Sequence, residues 1–423
     1  MLRKLLQNKF VQGGVIFSVA SFGVSFLNYI FNLLVARFFP LDIYGEYMSA
    51  IVYFGLLTVP FGAVNVLLIR RIGLTSVDER QALIRIIEKW IANFVKKQYL
   101  VLILVLFGVT YLLLTQSNLQ PTSVVWILLM TLISLATILY SASLQAFKDF
   151  VASGALGIIS TLMKIIVGLL VLWLIPSLPT LYASIIVSMI LAFFVARKFA
   201  TNNHGLLKPL EYRLAHSLSL FRKKSVLIPT IATLGLVGIL SLDVMFVKRF
   251  MEPDQVGLYA ALSVLGKIIF YLTAPLVAVA YTFFTGSDTK QDGPKVLLIS
   301  SILVVLSGGM IFVSYYFFPE LMVKLVFGQK FISIAPLAYL SAIFGIGYSM
   351  AYLLIQYLIS KNHPASLWSV VVMVAQAVAL VIFHESFAQM IIIGIGATSL
   401  LTLLSLASII QQQPQKRCHF LTR

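Results

Sequence analysis

Apolar runs long enough to cross a lipid bilayer recur along the whole chain. Each approaches or exceeds the roughly 20 residues that an α-helix needs to cross a hydrocarbon layer of about 30 Å. Hydrophobic residues make up 60% of the 423 residues and charged residues 11%, a balance that a soluble domain could carry only with large exposed apolar patches. We therefore predict an all-α, multi-pass membrane protein of about twelve transmembrane helices. The predicted spans lie near residues 12–38, 44–69, 99–115, 123–145, 151–175, 179–199, 226–248, 256–284, 296–318, 333–359, 366–383 and 388–410.

One segment of the sequence occurs twice. The copies are VARFFPLDIYGEY from Val35 and VKRFMEPDQVGLY from Val247, at a constant offset of 212 residues. Each copy closes one apolar run, turns through a proline and an acidic residue, and opens the next run. Internal repetition of this kind is typical of membrane transporters. Each half holds six spans, an even number, so both halves enter the membrane in the same direction and the repeat is parallel.

The duplication divides the chain into three regions. We predict an N-terminal six-helix lobe at 1–200, a basic cytosolic linker at 201–225 and a C-terminal six-helix lobe at 226–423. No loop exceeds about 30 residues, which is too short for a folded catalytic domain of ordinary size.

The loop between the second and third spans has a helical pattern of its own. Leu83, Ile87, Ile91 and Phe94 recur at helical intervals, opposite charged residues. The pattern predicts a helix there, either lying at the inner membrane interface or serving as a solvated connector.

The distribution of basic residues orients the chain. Of the 31 Lys and Arg, 24 fall in segments on one side of the predicted membrane, five on the other side and two within spans. Because the cytosolic side carries the excess of basic residues, this asymmetry places both termini in the cytosol, in a cytoplasmic (inner) cell membrane. The formal net charge of +17 does not indicate nucleic acid as a partner, since the charges are scattered over short loops without an aromatic-rich globular domain.

Sequence motifs of enzymes are missing. The chain has no Walker loop and no G-x-S-x-G motif, and its five His residues and single Cys lack metal-ligand spacing. We therefore predict a protein that is not an enzyme, with no catalytic residues, no bound metal and no cofactor.

Two lysines lie deep within predicted spans. Lys164 is about 13 residues into its span and Lys267 about 10, which corresponds to roughly 15 to 20 Å. A lysine in mid-membrane costs about 2.5 to 3.5 kcal/mol, so it normally faces a wet cavity or a counter-charge. The one acid clearly inside a span, Asp243, is closer to the outer end. Two deep cations and one shallow anion predict a cavity that attracts anions such as phosphate; the alternative is that carbonyls or one acid satisfy each lysine for packing reasons.

Arginines mark the outer ends of the two copies of the repeat. Arg37 and Arg249 occupy equivalent positions, at the ends of the first and seventh spans. Snorkelling to lipid headgroups explains them as well as function does. The functional alternative is that they pair with Asp243 or Asp42 and close an outer gate.

A polar stripe follows the first span. Asn28 and Asn32 lie four residues apart and therefore share one helical face, which Ser21 and Ser25 continue. The stripe either lines a cavity or ties helices together by hydrogen bonds. The second interpretation is favoured, because small and polar residues commonly join membrane helices.

The two copies of the repeat also carry a family resemblance. With them the chain resembles the polysaccharide biosynthesis (Wzx-like oligosaccharide flippase) family of the multidrug/oligosaccharidyl-lipid/polysaccharide (MOP) exporter superfamily. The likeness runs through most of the first ten spans as a pattern, and it is specific at the two junctions. Its motifs are Asn28-Tyr-Ile-Phe-Asn32-Leu-Leu-Val-Ala-Arg37-Phe-Phe-Pro, the Tyr44-Gly45 turn, and Leu242-Asp243 leading into Val256-Gly-Leu-Tyr-Ala-Ala-Leu-Ser-Val-Leu-Gly-Lys267.

This resemblance implies a fold and a cargo. It implies two six-helix lobes around a central cavity that opens alternately to either side of the membrane. It also implies a flippase that moves a polyprenyl-diphosphate-linked oligosaccharide from the cytosolic to the outer leaflet, for assembly of cell-surface polysaccharide. The partners would be this anionic lipid-linked oligosaccharide, membrane lipids and polysaccharide-assembly proteins. The residues themselves agree with such a cargo: Lys267 and Lys164 are the candidates for contact with the diphosphate. Asn28 and Asn32 are the candidate polar stripe of the cavity, beside the favoured interpretation as a helix contact.

Other classes of protein stay open. A cation-coupled multidrug (MATE-like) antiporter of the same superfamily would need an acid in mid-membrane in the first or seventh span; the first has none and Asp243 is shallow. A major-facilitator transporter shares the six-plus-six plan, but the loop after the second span lacks that family's signature. A membrane glycan polymerase or transferase would be expected to carry carboxylates in an outer loop, and the outer loops here are short and poor in acids. The sequence is compatible with transport coupled to Na⁺, to H⁺ or to the membrane potential.

Overall fold

The computed structural model is helical throughout the residues that it describes, which are 9–73, 80–146, 150–201, 224–285 and 293–418. Most of the predicted linker, residues 202–223, lies outside the described residues. The N-terminal half contains α1 (Lys9–Phe38), α2 (Leu41–Gly73), α3 (Arg80–Lys97), α4 (Tyr99–Gln116), α5 (Pro121–Ala146), α6 (Phe150–Leu174) and α7 (Leu178–Thr201). The C-terminal half contains α8 (Lys224–Phe250), α9 (Pro253–Thr285), α10 (Gly293–Phe317), α11 (Pro319–Val326), α12 (Ala338–Ser360), α13 (Trp368–Ile382) and α14 (Phe387–Cys418).

Twelve membrane-spanning segments are confirmed within this described part of the chain, by helix length and composition. The helix predicted between the second and third spans is also present, as α3. Three elements of the described chain were not predicted: the short helix α11, the 3₁₀ segment Gln329–Leu337, which leads into α12, and the 3₁₀ segment Pro364–Leu367, which leads into α13. The tenth span thus begins as a 3₁₀ helix and continues as an α-helix.

The two copies of the repeated segment adopt the same local structure. Each ends one long helix and starts the next after a short turn. Basic residues occupy the last turn of the first helix, Arg37 in α1 and Arg249 in α8. Acidic residues occupy the first turn of the second helix, Asp42 in α2 and Asp254 in α9. Each charge has the sign that the nearby helix end favours, since helix C-termini attract cations and N-termini attract anions.

The helices form two compact units. The first takes in the chain up to Asn32 and Tyr53–Val226; the second takes in Leu33–Val52 and the chain from Leu227 onward. The lobes predicted at 1–200 and 226–423 and the linker at 201–225 stay a prediction. The two compact units meet in the sequence between Val226 and Leu227. The exception is Leu33–Val52, which comes from the first half of the sequence and is grouped with the second.

Close helix contacts in the first unit depend on small residues of α6. A Cβ atom built on Gly157 would fall 2.9 Å from Val24, and one on Gly168 would fall 2.6 Å from the ring of Phe31. Both contacts join α6 to α1. Small residues allow membrane helices to approach in this way, and the approach brings the side chains of α1 within reach of Lys164.

In the second unit, α12 lies at the centre and packs on α9, α10 and α14. The crossing with α9 is very close, because a Cβ atom on Gly345 would fall 2.2 Å from the carbonyl oxygen of Gly266. Backbone atoms cannot turn aside as a side chain can, so this crossing requires glycine. It fixes the position of α9, the helix that carries Lys267.

Candidate functional site

The acid that the sequence singles out, Asp243, is buried in the second unit. It lies on α8 with 5% of its surface exposed. The hydroxyl of Tyr259 donates a hydrogen bond to its Oδ2 atom at 3.2 Å, and that of Ser263 donates another at 3.0 Å. The second carboxylate oxygen, Oδ1, is buried without a hydrogen-bond partner in the described structure. Buried carboxylates without full hydrogen bonding are costly, which makes this oxygen notable.

Lys267 belongs to the same cluster. Tyr259, Ser263 and Lys267 are spaced four residues apart on α9, so they form one stripe along that helix. The lysine is 5% exposed and lies in the middle of its span, Pro253–Tyr281. The carboxylate of Asp243 is within its electrostatic range. Among the described residues, however, no ion pair joins the two.

A small cavity adjoins the cluster. The polar side chains that line it are Asp243, Tyr259, Ser263 and Ser341. Its volume is about 10 Å³, which is about the space that one water molecule requires. The cavity can therefore hold a small polar group beside Asp243 in this conformation, and nothing of the size of a sugar.

Lys164 lies in the first unit, half-buried on α6. Its ammonium group donates a hydrogen bond to the amide oxygen of Asn28 on α1. It also lies over the ring of Phe31, with Nζ 4.6 Å from the ring centroid. Both partners are neutral, and among the described residues no carboxylate forms an ion pair with Lys164. The lysine is thus held by hydrogen-bond and cation–π contacts while its charge stays uncompensated.

The polar stripe of α1 takes part in this contact. Asn28 also donates a hydrogen bond to the carbonyl of Val24 within its own helix, at 2.8 Å. It therefore ties α1 to α6 while lying beside Lys164. Asn32, four residues further along, is half-buried on the same face.

Arg37 does not pair with Asp243 in the described structure, and the two arginines of the repeat differ in exposure. Arg37 is exposed and donates hydrogen bonds to the backbone carbonyls of Leu325 and Val326 at the end of α11. Asp243 instead accepts hydrogen bonds from α9, so an ion pair between Arg37 and Asp243 is not present in this conformation. Arg249 is half-buried in the last turn of α8.

The structure contains an ion pair in this region that was not predicted from the sequence. Lys248 on α8 and Glu46 on α2 lie 2.5 Å apart, with 9% and 2% of their surfaces exposed. Lys248 is one of the five basic residues predicted to lie on the outer side of the membrane. Glu46 could have been noticed as an acid inside an apolar run, since charges in membrane segments are rare and usually have a partner.

Comparisons with known proteins place the fold. A comparison with protein-family models finds no match, and neither does a search of curated proteins. Solved structures do match. The chain is similar to "Lipid II flippase MurJ, inward closed conformation", with a TM-score of 0.70 and 14% sequence identity over 93% of this chain and 87% of that one.

Two further structures match over nearly the whole chain. One is an outward-facing multidrug resistance MATE family transporter of the MOP superfamily, with a TM-score of 0.62, 13% identity and coverage of 98% of both chains. The other is a MOP superfamily transporter from Pyrococcus furiosus, with a TM-score of 0.61, 11% identity and coverage of 96% of both. The chain therefore has the fold of the MOP superfamily transporters. At these identities the likeness concerns the fold, and it does not distinguish between flippases and antiporters.

Proposed function

We propose that this protein is a MOP-type flippase that moves an anionic, polyprenyl-diphosphate-linked oligosaccharide from the cytosolic to the outer leaflet by alternating access. The orientation with both termini in the cytosol is part of the proposal and rests on the asymmetry of basic residues. The glycan would serve in cell-surface polysaccharide assembly. The structurally similar protein named as a lipid II flippase supports a lipid-linked cargo.

The observation that carries the proposal is the pair of lysines in membrane-spanning helices. Lys164 has neutral partners, and Lys267 has a nearby carboxylate without a direct ion pair. Each would cost about 2.5 to 3.5 kcal/mol in mid-membrane, a cost that an anionic ligand offsets when it binds. A diphosphate offers several charged oxygens to such donors, while the polyprenyl chain stays in the bilayer.

A flipping assay tests this proposal. The purified protein in liposomes should move a fluorescent polyprenyl-diphosphate-linked oligosaccharide between leaflets. Lys164→Met and Lys267→Met should insert normally and flip the lipid at least about tenfold more slowly, the effect of losing roughly 1.4 kcal/mol in the transition state. The matched control is Lys324→Gln, which removes an exposed cation of α11. Native flipping rates in both methionine variants would exclude the assignment.

A second function is favoured by one observation, the unpartnered Oδ1 atom of Asp243 beside a small polar cavity. A buried carboxylate of this kind suits a cation-coupled multidrug antiporter. One of the similar structures is a multidrug resistance MATE family transporter. In liposomes with an imposed proton or sodium gradient, an antiporter would expel a cationic dye, and Asp243→Asn would abolish the transport. If the protein is a flippase, neither the native protein nor the Asp243→Asn variant transports the dye.

A further inference from the structure

The segment Leu33–Val52 belongs to the first half of the sequence but packs with residues of the second half. It comprises the end of α1, the turn and the start of α2. The residues before it and after it in these two helices belong to the first unit, whereas the segment itself belongs to the second. Contacts with the C-terminal half of the chain must therefore outweigh the continuity of the two helices.

One of these contacts is the ion pair between Glu46 and Lys248. The distance is 2.5 Å and both side chains are almost fully buried. A buried pair is sensitive to the loss of either partner, because the remaining charge is left without compensation. The pair also breaks the symmetry of the repeat. The positions equivalent to Lys248 and Glu46 in the other copies are Ala36 and Leu258, which cannot form an ion pair.

The backbones of the two repeat copies meet directly beside this pair. A Cβ atom built on Gly45 would fall 2.6 Å from the nitrogen of Gly257, and one built on Gly257 would fall 2.0 Å from the carbonyl oxygen of Leu41. These two glycines are repeat equivalents. The close approach positions the start of α2 so that Glu46 reaches Lys248.

Exposed basic side chains make further polar contacts at the segment. Arg37 of the segment binds the last carbonyls of α11, and Lys330 donates a hydrogen bond to the carbonyl of Phe39. These basic side chains satisfy carbonyls near helix ends. Arg37 and Lys330 are exposed, so water can replace them at low cost. The segment is thus held by a buried charge pair, by the close backbone contact at Gly45 and Gly257, and by the buried ring of Tyr44 packed against Phe327 and Phe331.

We propose that Glu46 and Lys248 form a conformational latch, which keeps Leu33–Val52 on the C-terminal half in the present conformation and opens in the other conformation of the transport cycle. Alternating access moves one repeat against the other. A helix whose residues belong to two units must then bend, or its contacts with one of the units must break. The latch rests on the alternating-access part of the proposed function and is independent of the cargo.

Distance measurements by double electron–electron resonance test the latch. Spin labels are placed at Phe38→Cys in the segment and Met310→Cys on α10, which are 59% and 74% exposed, in a Cys418→Ser background. The labelled protein should show one main distance. Glu46→Gln and Lys248→Met should each produce a second, different distance. The population at this distance, relative to the population at the main one, should rise by at least about tenfold, because one charge of a buried pair is left without its partner. The charge swap Glu46→Lys with Lys248→Glu should return the distribution toward the native one.

The matched control is Lys324→Gln, which removes an exposed cation of the same unit and should leave the distances unchanged. The neutral pair Glu46→Gln with Lys248→Gln leaves no orphaned charge, so it replaces any single variant that does not fold and should also populate the second distance. Native distances in the single variants and in this neutral pair would overturn the latch. So would a swap variant as altered as the singles. The measured distance does not depend on the cargo. It therefore tests the latch even if the flipping assay shows no transport of the lipid.

Discussion

Gly257→Ala is the substitution whose effect is best defined by the geometry. The new Cβ atom would lie 2.0 Å from the carbonyl oxygen of Leu41, 2.7 Å from its carbonyl carbon and 3.0 Å from its Cα. Ordinary contacts of a Cβ atom begin at 3.4 Å. The start of α2 must therefore retreat by roughly 1.4 Å, because the obstructing atoms are backbone and cannot rotate away.

The expected cost follows from this displacement. Overpacking of a well-packed contact costs about 1–3 kcal/mol. The higher helix propensity of alanine returns roughly 0.5–1 kcal/mol. The net expectation is a loss of up to about 2.5 kcal/mol in the free energy of unfolding, the difference between these two effects. The shift also moves Glu46, five residues after Leu41, and weakens its pair with Lys248.

Unfolding in mixed micelles, followed by tryptophan fluorescence, measures this loss. Gly309→Ala is the matched control in the same unit, because a Cβ atom there meets nothing within 4 Å. This control should be as stable as the native protein or slightly more stable. If Gly257→Ala unfolds at the same detergent concentration as Gly309→Ala, the contact between the repeat copies does not constrain the fold as described.

Three further substitutions have defined outcomes. Tyr140→Phe removes the 2.6 Å hydrogen bond that the phenol donates to Glu88. It should lower the free energy of unfolding in the same mixed micelles by about 1.5–3 kcal/mol. An unchanged free energy of unfolding would show that water replaces the bond. Arg37→Ala leaves exposed carbonyls at the end of α11 to water. It should lower the free energy of unfolding in mixed micelles by no more than about 1 kcal/mol. A larger loss would assign Arg37 a structural role. Lys164→Met removes a charge from a membrane helix and should make the protein more stable while it loses cargo flipping. A less stable variant would indicate that the contact with Asn28 is mainly structural.

The twelve candidate spans could be predicted because they depend on local composition. Runs of about 20 apolar residues have few alternatives to a spanning helix, so all twelve spans were found. The shared geometry of the two repeat turns also followed from sequence, because proline and charge positions determine helix ends locally. The short helix α11 was not predicted, since its eight residues are too few to show a clear period.

The arrangement of the site could be predicted only in part. Lys164, Lys267 and Asp243 stand out because charges are rare in spans. The four-residue spacing of Tyr259 and Ser263 from Lys267 was visible in the sequence and could have completed that cluster. The ion pair of Glu46 with a residue of α8 could not be foreseen, because no local pattern brings together side chains so far apart in the chain.

The cargo's charge is the central claim, and binding of matched lipids tests it most directly. The purified protein is titrated with one oligosaccharide attached to polyprenyl diphosphate and with the same oligosaccharide on an uncharged polyprenyl carrier. The account predicts that the diphosphate form binds at least about tenfold more tightly, a difference of roughly 1.4 kcal/mol, and that the preference disappears when Lys164 and Lys267 are both replaced by Met. Equal affinity for the two lipids, or a preference that survives the double replacement, would contradict it.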